Sequence, residues 1–216
     1  MKYLYLLLIF TLTSCVEIID DIKLNLDGSG VFKYTINLSQ SKTSVTSILA
    51  LDSLDGKKVM KLPEIKENIK TFKEHLSKEE GISNVIITEN YTEYIIKIEC
   101  KFKNIEILER AIKGAISKMD KNIKEDDKTW VKYSDKKLSK SVPDYSLTFL
   151  NKITGNHYEK LKAGTYTSIV RFDNLIDNYT NKLATKSKSG TALMVKTTPD
   201  KLIENPNILD NTVSIK

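Results

Sequence analysis

The chain predicts an α+β fold: an antiparallel sheet with amphipathic helices packed on one face, followed by a strand-rich C-terminal half. Three observations lead there. Two alternating apolar and polar runs flank Asp27-Gly28-Ser29-Gly30. The element order then reads strand, strand, helix, helix, strand, strand, helix. Beyond residue 128 the helical periodicity gives way to short alternating segments.

In the first run Ile22, Leu24 and Leu26 alternate with polar residues, and in the second Phe32, Tyr34, Ile36 and Leu38 do the same. Residues 22–26 and 32–38 therefore read as a hairpin, since Gly and Asp tolerate the positive φ of a tight turn. A calcium loop also uses Asp and Gly, but the further acidic ligands and the terminal glutamate of an EF-hand are missing. Residues 41–54 carry Val45, Ile48, Leu49 and Asp52 at helical spacing, with Gly56 as the stop. A second helix opens at Pro63 and aligns Ile65, Ile69, Phe72 and Leu76 on one face, ending before Gly81. Both read as amphipathic.

Strands follow at residues 84–89 and 91–103. In the latter, alternation puts Cys100 on the same face as Tyr94, Ile96, Ile98 and Phe102, so its thiol reads as a small core hydrophobe. Asn104 caps a third helix, with Glu106 and Glu109 near its start and Ile105, Leu108, Ile112, Ala115, Ile116 and Met119 as its apolar stripe. Residues 120–128 are charged and lack periodicity, so they read as a loop or linker. Strands are expected at 129–133, 138–142, 165–172, 191–197 and 212–215, with a helical turn at 200–203; residues 145–161 are ambiguous. The chain divides into residues 1–14, a region 15–125 and a strand-rich region 126–216, which either extends the first sheet or forms a second domain.

Catalytic motifs do not emerge. His75 and His157 stand alone, without a second His or a Cys pair at metal spacing. His157 beside Glu159 is the pair with acid–base chemistry, and His75 flanks an apolar stripe. Ser29 lacks the strand-to-helix setting of a nucleophile elbow, and Gly28-x-Gly30 fails as a dinucleotide fingerprint because Lys33 holds the third position. The expectation is a noncatalytic protein with no cofactor and no bound metal. Two features suit binding. The run from Lys182 to Gly190 holds three lysines that could meet anionic headgroups, or simply form a solvated loop. Trp130, Tyr133, Tyr145, Phe149, Tyr158 and Tyr166 concentrate in the second half, as core or as the lining of a groove.

The N-terminus says more. Met1-Lys2-Tyr3 precedes an almost unbroken apolar stretch over residues 4–12, shorter than the roughly 20 residues that span a bilayer, so residues 1–14 read as an export signal. Leu12-Thr13-Ser14-Cys15 resembles a bacterial lipobox. That resemblance implies diacylglycerol on the Cys15 thiol, cleavage before it and acylation of the new amino group. Two or three acyl chains hold a membrane stably where one does not. The mature chain then carries 33 basic residues, the original 34 less Lys2, against 28 acidic ones, a charge of about +5. Arg110 and Arg171 are its arginines, and its lysines are scattered among acids, a solvated surface and not a nucleic-acid footprint. Cys100 is left as a single thiol, so no internal disulfide is expected.

A lipobox followed at once by an alternating strand, Asp-Gly-Ser-Gly, a second strand and amphipathic helices resembles uncharacterised lipoproteins of Bacteroidetes-type bacteria. The resemblance implies location, not activity. By lipoprotein sorting rules of other Gram-negative bacteria, Val16 after the cysteine implies the outer membrane, and Glu17, Asp20 and Asp21 are mildly like acidic surface-export patches. The expected partners are the membrane, through the anchor, and another envelope protein. The alternative is a binding module or carrier for a lipid or other apolar ligand, which calls for a closed apolar cavity of several hundred Å³, by the scale of about 300 Å³ and above for ligand pockets.

Overall fold

The computed structural model describes residues 16–54, 56–119, 128–144, 146–147 and 164–216. The signal, Cys15, His157, Glu159, Tyr145, Phe149, Tyr158 and the linker at 120–127 lie outside the described residues.

The fold is α+β. β1 (Glu17–Leu24) and β2 (Gly30–Asn37) form the expected hairpin, with β1 beginning five residues earlier than alternation from Ile22 suggested. In its turn the Ser29 N–H and hydroxyl both donate to Asp27 Oδ1 (2.9 and 2.6 Å), while Gly28 takes φ +83°. Asp27 thus caps a turn, and these bonds hold its carboxyl below the usual range.

α1 (Lys42–Ala50) follows, then β3 (Ser53–Leu54) and β4 (Lys57–Lys58), α2 (Leu62–Lys78), β5 (Ile82–Asn90), β6 (Ile95–Phe102) and α3 (Ile105–Met119). The helix expected over residues 41–54 stops at Ala50. Leu51 is extended (ψ 148°), and a small hairpin turns at Gly56 (φ +73°). The Lys61 ammonium supplies the stop, donating to the carbonyls of Leu49 (3.4 Å) and Leu51 (2.6 Å) that a continuing helix would have used. Nor is α1 a core helix, because none of its residues is buried. α2 and α3 match the sequence reading. α2 buries Phe72 and Leu76, and Asn104 Oδ1 accepts the Ile107 N–H (2.8 Å) to cap α3.

The second half contributes β7 (Val131–Ser134), β8 (Lys137–Lys140), β9 (Thr165–Phe172), β10 (Ile176–Tyr179), β11 (Thr185–Lys186), β12 (Ala192–Thr197), α4 (Pro199–Glu204) and β13 (Asn211–Ile215). β10 and β11 were not legible: Ile176-Asp177-Asn178-Tyr179 carries little alternation, and β11 is two residues inside the lysine run. The strands of the second half divide between two sheets that share one core. β9, β12 and β11 extend the first sheet in the order β11-β12-β9-β1-β2-β6-β5, and β10-β13-β8-β7 make a second sheet. Neighbours are antiparallel except β1 and β9, which run parallel.

One face of the long sheet is buried. In register across it stand Val170, Ile22, Phe32 and Cys100, and next to them Phe172, Leu24, Gly30 and Phe102. α2 and α3 lie against the β5 and β6 end, while β8 and β13 of the second sheet close over β9 and β12. The other face is solvated and carries ion pairs such as Arg171 with Asp21 (2.9 Å) and Lys33 with Glu99 (2.9 Å).

The tightest backbone approach is at Gly30. A Cβ there would stand 2.0 Å from the Lys23 carbonyl oxygen and 2.5 Å from Phe102 Cζ. Gly30→Ala should therefore destabilise the fold by about 3 kcal/mol, the upper end of overpacking costs, read as a lowered urea midpoint. An unchanged midpoint would show that β1, β2 and β6 are not packed this closely.

Candidate functional site

Alternation along β1 turns Ile18, Asp20, Ile22 and Leu24 inward, so a carboxylate occupies a core position. The same rule on β8 turns Leu138 and Lys140 inward. Asp20 is 5% exposed and Lys140 7%. Lys140 Nζ donates to Asp20 Oδ1 and to Ser168 Oγ. Ser168 Oγ also donates to Asp20 Oδ1 (3.0 Å), and the Tyr166 hydroxyl donates to Asp20 Oδ2 (2.9 Å). The register explains the meeting: Asp20 lies opposite Ser168 on β9 and opposite Tyr34 on β2. The Tyr34 hydroxyl bonds with those of Ser146 and Tyr166; burial, and secondarily the charge of Asp20, push it well above the ordinary tyrosine range.

A lysine against a serine suggests a base and a nucleophile. Here the chemistry is otherwise. Lys140 Nζ is bonded to Asp20 Oδ1 as well as to Ser168 Oγ, and the Ser168 hydroxyl donates to the same carboxylate oxygen, so the serine proton is directed at Asp20 and not at the lysine. Access is also lacking: Tyr166 is 1% exposed, and the adjoining void, lined by Leu138, Val170, Leu193 and Asn211 among others, offers about 10 Å³, room for about one water. The cluster is a polar joint between the two sheets.

Of the three acids that follow Val16, Asp20 is buried in the joint, Asp21 pairs with Arg171, and the Asn37 side-chain amide donates to Glu17 (3.3 Å). The signal that finds the joint was present, since Asp20 and Lys140 both fall on the apolar parity of their strands.

Cys100 is fully buried in the main core. Burial, with a lesser contribution from Glu99, pushes its thiol from an ordinary value near 9 up to about 12. It is not a reactive thiolate. His75 is exposed on α2. Trp130 and Tyr166 are core residues, Tyr133 is half-buried beside the hairpin turn at Gly28, and none of the three opens a groove. Lys182 and Lys188 are exposed, while the ammonium of Lys186 binds the Ile176 carbonyl (2.8 Å). Among the described residues no group of three or more His, Cys, Asp or Glu could hold a metal ion, and no helix is long and apolar enough to cross a membrane.

No known protein family matches the chain, and no curated protein is similar to it. The resemblance to a Bacteroidetes-type lipoprotein family thus finds no support. Among solved structures, the folded domain of LppM from Mycobacterium tuberculosis is similar with a TM-score of 0.42 and 8% identity, over 93% of this chain and 90% of that one. A likeness that loose lends weight to neither fold nor function.

Two predictions follow from the buried groups. Lys140→Met should cost about 3–5 kcal/mol by leaving the Asp20 carboxylate buried and unpaired, and Asp20→Leu with Lys140→Met should recover at least half of that loss. A single variant as stable as the parent in urea would contradict the joint. Cys100 stays neutral in the fold to about pH 12, whereas the unfolded thiol ionises near 9. Its contribution is therefore full below pH 9 and is lost between pH 9 and 12. Cys100→Ala should flatten the fall in stability across that window by up to about 1.4 kcal/mol per pH unit, measured as the difference between the two proteins.

Proposed function

We propose that the chain is a lipid-anchored lipoprotein of the cell envelope, tied by Cys15 to the outer membrane of a Gram-negative bacterium, and that it works without catalysis through contact with other envelope proteins. The observation that carries this reading is the position of residue 16. The Val16 carbonyl already accepts the Thr165 N–H (2.7 Å), and β1 begins at Glu17. A residue spans at most about 3.5 Å, so an acyl group on Cys15 is joined to the central strand of the sheet with no flexible tether between. Such an attachment holds a rigid body against the membrane.

The noncatalytic part draws on the joint, where the groups with the most reactive chemistry are spent on one another. The carrier reading asks for a cavity of several hundred Å³; among the described residues the void between the sheets is about 10 Å³.

Cys15→Ser should abolish acyl labelling with palmitate and move the protein from the membrane fraction to the soluble one. Retention of the unlabelled variant on membranes would overturn the anchor. In a mild-detergent pull-down of the parent, one stoichiometric envelope protein is expected; lipid enriched without protein would favour the carrier instead.

A further inference from the structure

Where β1 and β9 begin, β2 and β12 end. Residues 38–54 and 56–61, which hold α1 and the β3–β4 hairpin, follow β2 from this end of the sheet. α1 is nine residues long and buries none of them. Helices shorter than about 12–15 residues are marginal in water and draw their stability from a packed apolar face. This one is tied to the body by polar contacts: Thr46 with the Tyr94 hydroxyl (2.9 Å), Lys42 with Glu93 (2.7 Å), and Lys61 on its last carbonyls. Beside it Leu51 is 44% exposed and Met60 48%, in segments joined by the Val59 N–H on the Asp52 carbonyl (3.0 Å).

We infer that α1 and the β3–β4 hairpin rest on the bilayer surface, with Leu51 entering the headgroup boundary. The inference builds on the Cys15 anchor of the proposed function and names the surface that the anchor presses to the membrane. Its occupant follows from where the chain leaves the described structure. Val16 stands at this end, and Tyr94, which holds α1, immediately precedes β6, two strands away from β1. At about 4.8 Å between neighbouring strands, that is about 10 Å from the attachment point. Held at Cys15, the chain brings this end of the sheet to the membrane. The far end, with Leu26 51% exposed, is removed by the length of β1, about 26 Å for eight residues. Lys42 and Lys58 already pair with Glu93 and Glu64 (each 2.7 Å), so the contact depends on apolar insertion more than on anionic lipid. It should form on neutral vesicles and persist at high salt.

The test places a polarity-sensitive dye at Leu51→Cys or Leu26→Cys in the full acylated protein on phosphatidylcholine vesicles carrying nitroxide-labelled acyl chains. Cys100 is fully buried, so the dye goes to the introduced thiol. Co-flotation with the vesicles is measured first, and circular dichroism and urea midpoints confirm that both variants are folded. The expected result is quenching at position 51 about threefold or more above that at position 26, as for a side chain seated in the headgroup boundary. Equal quenching at the two positions, or none at either, in protein that co-floats overturns the docking face and leaves the anchor standing. Protein that fails to co-float overturns the anchor, and this inference with it.

Discussion

The ion pair of Asp20 and Lys140 is the constraint to which the two sheets are held. It joins the middle of β1, in the centre of the long sheet, to the last residue of β8 in the short one. Around it the Tyr166, Ser168 and Tyr34 hydroxyls come from strands on both sides of β1. A buried pair adds little net stability compared with an apolar replacement, but separating its members leaves a charge in the core at a cost of several kcal/mol, about 3–5 by general experience. Any slip of β8 or β1 by one residue would also turn the charged side chain to the other face. The joint therefore acts on uniqueness: it excludes wrong pairings of two sheets that otherwise meet largely through apolar packing, with Lys186 on the Ile176 carbonyl as a further polar tie at the β11 edge.

Much of the fold was legible because its elements obey a single local rule. β9 has the expected boundaries, and α3 has the expected stripe and cap, since both the period and the capping residue are local properties. The failures are tertiary. α1 ends early because Lys61, eleven residues past Ala50, reaches back to its carbonyls. β10 and β11 are strands because β13 and β12 offer them an edge, not because of their own sequence. The joint was half legible: parity along β1 and β8 marks Asp20 and Lys140 as inward, but which lysine meets which acid depends on how a strand at residue 140 folds over one at residue 20. No local pattern holds that information.

The parallel contact of β1 and β9 has its own consequence. It brings residues 16 and 165 together across a separation of nearly the whole first half and part of the second, and it makes the strand that follows residue 16 a central one. Pulling on residue 16 thus loads two ladders, β1 with β2 and β1 with β9. A lipid anchor on an edge strand could peel it away; on this one it cannot do so without opening the middle of the sheet.

The same geometry limits how copies of the chain can meet. The two edges of the long sheet differ: β11 is two residues, with Lys182, Lys186 and Lys188 around it, whereas β5 is nine residues without a lysine or proline. Short, lysine-bearing edges resist strand addition, and long plain ones invite it; the register shift between Ser83 and Ile86, with Asn84 at φ +52°, roughens the open edge in part. Two copies that paired β5 with β5 about a two-fold axis would do so antiparallel, which points their β1 strands in opposite directions. With Cys15 as the anchor, the two lipid groups would then leave from opposite ends of the joined sheet, about a strand length apart, and a single leaflet could not hold both. A population anchored in that way would be kept from growing sheets edge to edge, and a strand that did pair with β5 would have to come from a chain whose direction such an anchor did not set.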